Sequence, residues 1–144
     1  MKILVVDDDA IARSMAQMIL TKEKHEVVLA ENGEKALELL RQGGIRLVLS
    51  DWNMPKMDGI DLCKQVRKAS HLGYIYMIMI TSRETKDEMM VGLWAGADDF
   101  ITKPIDATEL ILRVRKGERV IDEIVANEAK CKAFQECLAE VVGG

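Results

Sequence analysis

The chain has 144 residues, room for one domain whose core needs no disulfide or metal staple. Apolar residues make up 49% and charged residues 31%, the balance of a globular domain rather than a disordered or fibrous chain. A net charge of −4 offers no basic face to nucleic acid, the longest apolar run (Tyr74 to Ile80) is far too short to span a bilayer, and no charged-then-apolar leader precedes the first strand, so no direct nucleic-acid or membrane contact and a cytoplasmic location are expected.

In chain order, Lys2 to Val6 reads as a buried strand, since Ile3-Leu4-Val5-Val6 is continuous and mostly β-branched. Ala10 to Lys22 reads as a helix capped by Asp9, with Ile11, Met15, Met18 and Ile19 on one face. Glu26 to Ala30 is a second strand. Asn32 caps a helix over Gly33 to Gln42 that turns Ala36, Leu37 and Leu40 inward and stops at Gly43-Gly44. A third strand, Leu47-Val48-Leu49, ends in Ser50-Asp51, and Trp52 to Met57 is a loop around Pro55. Asp58 to Ala69 is a helix, Ile75 to Ile80 a strand, Thr85 to Ala95 a helix, and Asp99 to Thr102 a short strand before a last helix that starts near Asp106. Cys63, Cys131 and Cys137 lack the spacing of a disulfide framework or zinc site, and Cys63 reads as a small core residue.

Strand and helix thus alternate five times with short connections. This predicts a parallel sheet with helices on both faces and right-handed crossovers, for which 2-1-3-4-5 is the common strand order. Ligands of such sheets bind beyond the carboxyl ends of the strands. Asp7-Asp8-Asp9, Asp51, Thr81 and Lys103-Pro104 all follow apolar runs, so they are expected at one rim.

Carboxylates a few ångströms apart raise one another's pKa unless a cation relieves them. Asp7, Asp8 and Asp51 therefore suit a hard dication such as Mg²⁺. Asp51 closes an otherwise apolar strand and is the natural nucleophile toward phosphorus, whereas Asp9 serves as a helix cap. Lys103 supplies a positive charge that pairs with Asp7 or Asp51 and then with a phosphoryl oxygen, and a cis bond to Pro104 would aim its side chain. The Thr81 hydroxyl either donates to the phosphoryl group or caps the next helix.

These segments resemble a known family. Ile3-Leu4-Val5-Val6-Asp7-Asp8-Asp9, Leu49-Ser50-Asp51-Trp52-Asn53-Met54-Pro55-Lys56-Met57-Asp58-Gly59, Ile80-Thr81-Ser82 and Ala95-Gly96-Ala97-Asp98-Asp99-Phe100-Ile101-Thr102-Lys103-Pro104 are similar, in order and spacing, to receiver domains of two-component response regulators. The resemblance covers about residues 1–120 and implies an α/β flavodoxin-like (βα)5 three-layer sandwich, followed by a helical extension or linker over 121–144. It implies Asp51 as phosphoacceptor, Asp8 binding Mg²⁺ directly, Asp7 mostly through water, and the Asn53 backbone carbonyl completing the ligands. It further implies that Thr81 and Lys103 contact the phosphoryl oxygens, that Phe100 is the switch aromatic turning inward as Thr81 moves, and that Asn53 and Arg83 tune the phosphate lifetime. The implied donor is a sensor histidine kinase or phosphotransfer protein, and the implied output is a downstream effector controlled through the face of the fourth helix, fifth strand and fifth helix. Such a domain catalyses its own phosphorylation and slow dephosphorylation but is not a dedicated enzyme.

In the fourth helix Met89 and Leu93 form the expected inward stripe, and Met90 and Trp94 a second one, either a contact surface or a widened core face. From Asp106 onward Leu110, Val114, Ile121, Ile124, Cys131 and Leu138 recur at coiled-coil-like spacings, weakened by Glu128 and Gln135, with Phe134 and Val141 suggesting a shift of register. This favours a helix that projects and pairs with another chain over one packed back on its own domain, and a homodimer is expected either through this helix or through the face of the fourth helix, fifth strand and fifth helix. Two rivals remain at this level. A haloacid-dehalogenase-type phosphatase would use Asp7 as nucleophile with Asp9 two residues on, and Thr81, Lys103 and Asp98-Asp99 in its other places, although the acidic pair should then follow the lysine. A pseudo-receiver would bind partners without phosphorylation.

Overall fold

The computed structural model describes residues 1–82 and 85–143. Five strands, β1 (Lys2–Val6), β2 (Glu26–Ala30), β3 (Leu47–Asp51), β4 (Tyr76–Thr81) and β5 (Asp99–Thr102), form one parallel sheet in the order β2-β1-β3-β4-β5. Among the described residues the helices are α1 (Ala10–Lys22), α2 (Gly33–Arg41), α3 (Gly59–Lys68), α4 (Lys86–Ala95) and α5 (Ala107–Gly143), with a 3₁₀ turn at Ser70–Leu72 that the sequence pattern does not announce. Caps start the helices where polar side chains take up otherwise unpaired backbone N–H groups. Asp9 accepts from Ile11 N, Asn32 from Lys35 N, Asp58 from Asp61 N and Thr85 from Glu88 N. Asp58 and Thr85 are thus caps rather than first helical residues.

Strand side chains alternate between two cores, as a pleated sheet covered on both faces requires. Leu4, Val6, Val48, Met77 and Met79 point to the face packed by α2, α3 and Ala95 of α4. Ile3, Val5, Leu47, Leu49, Ile78 and Ile80 point to the face packed by α1 and α5.

Two helices turn differently from the sequence expectation. In α1 the buried residues are Ala16 and Leu20, with Ile19 packed beside them, while Ile11 is 71% exposed and Met15 and Met18 are exposed too. The small side chain of Ala16 lets this helix lie close on the sheet, so the large apolar residues of the other face stay outside. In α4 the buried residues are Gly92 and Ala95, and Met89 and Leu93 are exposed. A Cβ on Gly92 would stand 2.7 Å from two ring carbons of Phe100, so only a bare backbone fits over that ring. Trp94 is 86% exposed, which removes the widened-core alternative.

α5 starts at the carboxyl rim and runs down one face, antiparallel to the strands. Leu110, Val114, Gly117 and Ile121 are buried against it, with Gly117 set against Tyr76 and Leu47. Among the described residues Ile121 is the last buried one. The helix then projects past the amino-terminal ends of the strands.

Candidate functional site

Strand register assembles the rim. β1 and β3 pair Ile3 with Leu47 and Val6 with Ser50. One further step sets Asp7 beside Asp51. Both continue the strand parity that points toward α1 and α5, as does Lys103 two residues beyond Ile101. Adjacent parallel strands lie about 4.8 Å apart, so two carboxylates in this register must face each other. Asp7, Asp8 and Asp51 each offer an oxygen, and these oxygens all lie within 4.8 Å of one another. Asp7 and Asp51 are buried and Asp8 is exposed, which leaves one open side.

Lys103 reaches across from the loop after β5, its Nζ 2.9 Å from Asp51 Oδ1. The Lys103–Pro104 peptide bond is cis. The backbone ties this loop to β4, since Lys103 N donates to the Thr81 carbonyl at 2.9 Å. Thr81 is itself buried at the end of β4, beside Thr102 in register. Capping of α4 falls to Thr85, not Thr81. Asn53 is exposed, and with Asp8, Met54, Pro55 and Asp58 it lines an open cleft of about 340 Å³ over the acidic cluster. Arg83 lies outside the described residues.

The electrostatics follow from the crowding. Burial pushes the Asp7 carboxyl up to about 6; the hydrogen bond from Asp9 N opposes the rise and the negative charge of Asp51 adds to it. For Lys103 burial acts to lower the pKa, but the hydrogen bond and charge of Asp51 outweigh it and hold the ammonium above its ordinary value. Among the described residues the site therefore sets three carboxylates against one lysine, in a pocket with one open side. Such a place favours a dication.

Arg13 is a site residue that the sequence pattern does not mark. Its Nη1 donates to the Asp7 backbone carbonyl at 2.6 Å, clamping the end of β1 from the first turns of α1. Nothing local announces this contact, because the acceptor is a main-chain atom six residues back. Asp98, placed in the acidic set by the dehalogenase alternative, is elsewhere. It accepts from Arg67 at 2.7 Å, from Met77 N at 2.8 Å and from the Tyr74 hydroxyl, near the start of β4 and at the opposite end of the sheet from Asp51. Asp99 pairs with Arg113. The Asp98-Asp99 pair that this rival needs is therefore absent from the rim.

Phe100 is half-buried beneath α4, its ring centroid 6.5 Å from that of Trp52, the residue after Asp51. Contact thus runs from the acidic rim through Trp52 and Phe100 to Gly92 of α4.

Comparison with known proteins agrees with this geometry. The family model "Response regulator receiver domain" matches residues 3–115. The "Probable transcriptional regulator ycf27" of Porphyra purpurea is 40% identical over 126 residues, 88% of this chain and 51% of that protein. The sensory transduction protein RegX3 of Mycobacterium tuberculosis is 38% identical over 113 residues, 78% of this chain and 48% of that one. The chain spans about half the length of these curated relatives. The solved structure of the chemotaxis response regulator CheY4 of Vibrio cholerae superposes with a TM-score of 0.77 at 28% identity, covering 81% of this chain and 97% of that one. Fold, rim and family model converge: the chain belongs to the receiver domains of two-component response regulators, which act as phosphorylation-dependent signalling switches.

Proposed function

We propose that Asp51 is the phosphoacceptor of this receiver. One carboxylate oxygen attacks the phosphorus of a phosphohistidine on a sensor kinase or phosphotransfer protein. The P–N bond breaks, its electron pair stays on the imidazole nitrogen, and an acyl phosphate forms on Asp51. The observation that carries this reading is the convergence of three carboxylates within 4.8 Å and one ammonium 2.9 Å from Asp51.

The donor set suits Mg²⁺, since all the side chains are hard oxygen donors and the exposed Asp8 leaves room for water. Asp7, Asp8, Asp51 and the Asn53 carbonyl would hold the ion, which when bound neutralises charge between the carboxylates and the incoming phosphoryl oxygens. Lys103 exchanges its pairing with Asp51 for a phosphoryl oxygen, and the Thr81 hydroxyl donates to another. The shift of Thr81 draws Phe100 inward and changes the α4–β5–α5 face read by the effector. Asn53 and Arg83, the residues two past Asp51 and Thr81 in the sequence, set how fast water removes the phosphate. Catalysis here is positioning and charge neutralisation within one protein, with no turnover of a separate substrate.

The donor approaches over α1. Ile11, Met15 and Met18 are exposed there, and Met15 lines an apolar cleft of about 480 Å³ with Ala12, Ile19, Pro104 and Ile105, next to Lys103.

Labelling with radioactive acetyl phosphate tests the reading. Label is expected on the wild type with Mg²⁺, and none on Asp51→Asn or in excess EDTA. Equal labelling of Asp51→Asn, or labelling indifferent to EDTA, overturns it. Hydrolysis of a phosphate monoester that survives Asp51→Asn but not Asp7→Asn would instead support the dehalogenase-type reaction.

A further inference from the structure

Helix α5 carries two apolar stripes at different angles. Leu110, Val114, Gly117 and Ile121 face the sheet and end with the domain. The second stripe begins where the first stops: Ile124, Asn127, Cys131, Phe134, Leu138 and Val141 follow at alternating spacings of three and four. Ile124 is half-buried at the domain's edge, whereas Phe134 is 65% exposed and Val141 75% exposed. Residues 124–143 extend about 30 Å, room for nearly three heptads. The free stripe is thus not the one the raw periodicity of Leu110, Val114 and Ile121 picks out. Those three belong to the core, and the seam outside the domain is turned by about one residue.

Several observations name what covers this stripe. Unbroken three-four spacing is the pattern of a helix that packs along another helix of the same repeat, not of a segment lying in a groove. Asn127 is the one polar member. Opposite its own counterpart, each amide finds a donor and an acceptor; opposite an apolar residue, it would be buried unpaired. Residues 122–143 carry five carboxylates (Asp122, Glu123, Glu128, Glu136 and Glu140) against two lysines (Lys130 and Lys132), so an anionic lipid or nucleic-acid partner is disfavoured. Glu123 and Glu128 would flank a parallel pair and repel across it, but Glu128 already lies 4.0 Å from Arg46 of its own domain. The stripe also continues the side of α5 that faces β5, where Arg113 and Lys116 reach Asp99. β5 is the last strand of the sheet, so this side leaves space for a second domain.

We infer that the projecting half of α5 pairs in parallel and in register with the same segment of a second copy of this chain, placing Cys131 against Cys131 across the two-fold axis. The inference stands independently of the phosphoacceptor reading, since none of its residues belongs to the rim.

The test uses the full chain. Sedimentation equilibrium in reducing buffer is expected to give twice the 16.1 kDa chain mass in the micromolar range. Phe134→Glu and Leu138→Glu are expected to return it to 16.1 kDa with unchanged helical circular dichroism and unchanged labelling from acetyl phosphate, and Glu136→Gln on the outer face to leave the dimer intact. In a Cys137→Ser background mild oxidation should link the two chains through Cys131, whose counterpart would lie within disulfide reach. A monomeric wild type overturns the inference. So does a dimer that persists in both glutamate variants, or a dimer whose Cys131 thiols fail to link, which would place the contact on another face or run the helices antiparallel.

Discussion

The acidic rim should cost the fold stability when no cation is bound, and Asp7→Asn measures that cost. Folding raises the Asp7 carboxyl from 3.8 to about 6, so between these values the folded chain binds more protons than the unfolded one. Stability then falls as pH rises through this window. It is fully favourable below the unfolded value and lost above the folded one, the reverse of a salt-bridged aspartate. A shift of about two units corresponds to about 3 kcal/mol at 1.36 kcal/mol per unit. Asn keeps an oxygen that accepts the hydrogen bond from Asp9 N, 2.9 Å away in the wild type, while removing the charge. In metal-free buffer the difference in unfolding free energy, Asp7→Asn minus wild type, should therefore be near zero at a pH of about 4 and grow to about 3 kcal/mol by about 7. With a urea slope of about 3 kcal/mol per molar for a domain of this size, the variant's midpoint should stand roughly 1 M higher at neutral pH. Added Mg²⁺ should stabilise the wild type and narrow the gap, because a ligand that binds only the folded state adds to its stability. A difference that does not change with pH would refute burial and the Asp51 charge as the source of strain at Asp7.

Two further outcomes follow from the packing beneath α4. Gly92→Ala puts a methyl 2.7 Å from Phe100 ring carbons and 3.3 Å from Trp52, so it should cost about 1–3 kcal/mol and displace the Phe100 ring, read by urea denaturation and by the near-ultraviolet signal of Trp52. Iodide should quench Trp94, 86% exposed, and spare Trp52, 3% exposed, so that Trp94→Phe leaves emission nearly insensitive to iodide; strong quenching in that variant would contradict the burial of Trp52.

Much of the architecture is legible in the sequence because it is written in local chemistry. Asp9, Asn32 and Asp58 stand where side-chain oxygens meet the first free N–H groups of α1, α2 and α3. Asp7 and Asp51 stand out because each ends a run of buried apolar residues. What brings them together is register, Ile3 opposite Leu47, and register belongs to the assembled sheet rather than to either strand. The faces of α1 and α4 are misread for a related reason. Both helices carry large apolar residues on more than one side, so periodicity has no single phase, and the sheet selects the small residues Ala16, Gly92 and Ala95 instead. The same ambiguity in α5 hides the angle between the stripe that meets the sheet and the one that leaves the domain.

The unequal anchoring of the helices bears on how a receiver can move. α3 buries Ile60, Leu62, Cys63 and Val66 against the sheet, while α4 buries only Gly92 and Ala95. At about 1.5–3 kcal/mol for each large aliphatic side chain, Ile60, Leu62 and Val66 alone hold α3 with about 5–9 kcal/mol, whereas the single methyl of Ala95 contributes about 0.8 kcal/mol. Partial coverage of Met89 narrows the gap without closing it, since Met89, Met90, Val91, Leu93 and Trp94 are all exposed. Local opening of α4 should therefore cost several kcal/mol less than that of α3. Native-state hydrogen exchange reads this directly: at about 1.4 kcal/mol per decade, the amides of α4 should exchange roughly a hundredfold or more faster than those in the middle of α3. Equal protection of the two helices would mean that α4 is held by something other than its buried side chains, and the low cost of shifting it would have no basis in the packing. If the difference is found, the helix over Phe100 is the element of the fold that a charge at Asp51 can shift most cheaply, because Trp52 and Phe100 carry the contact there and little else resists it.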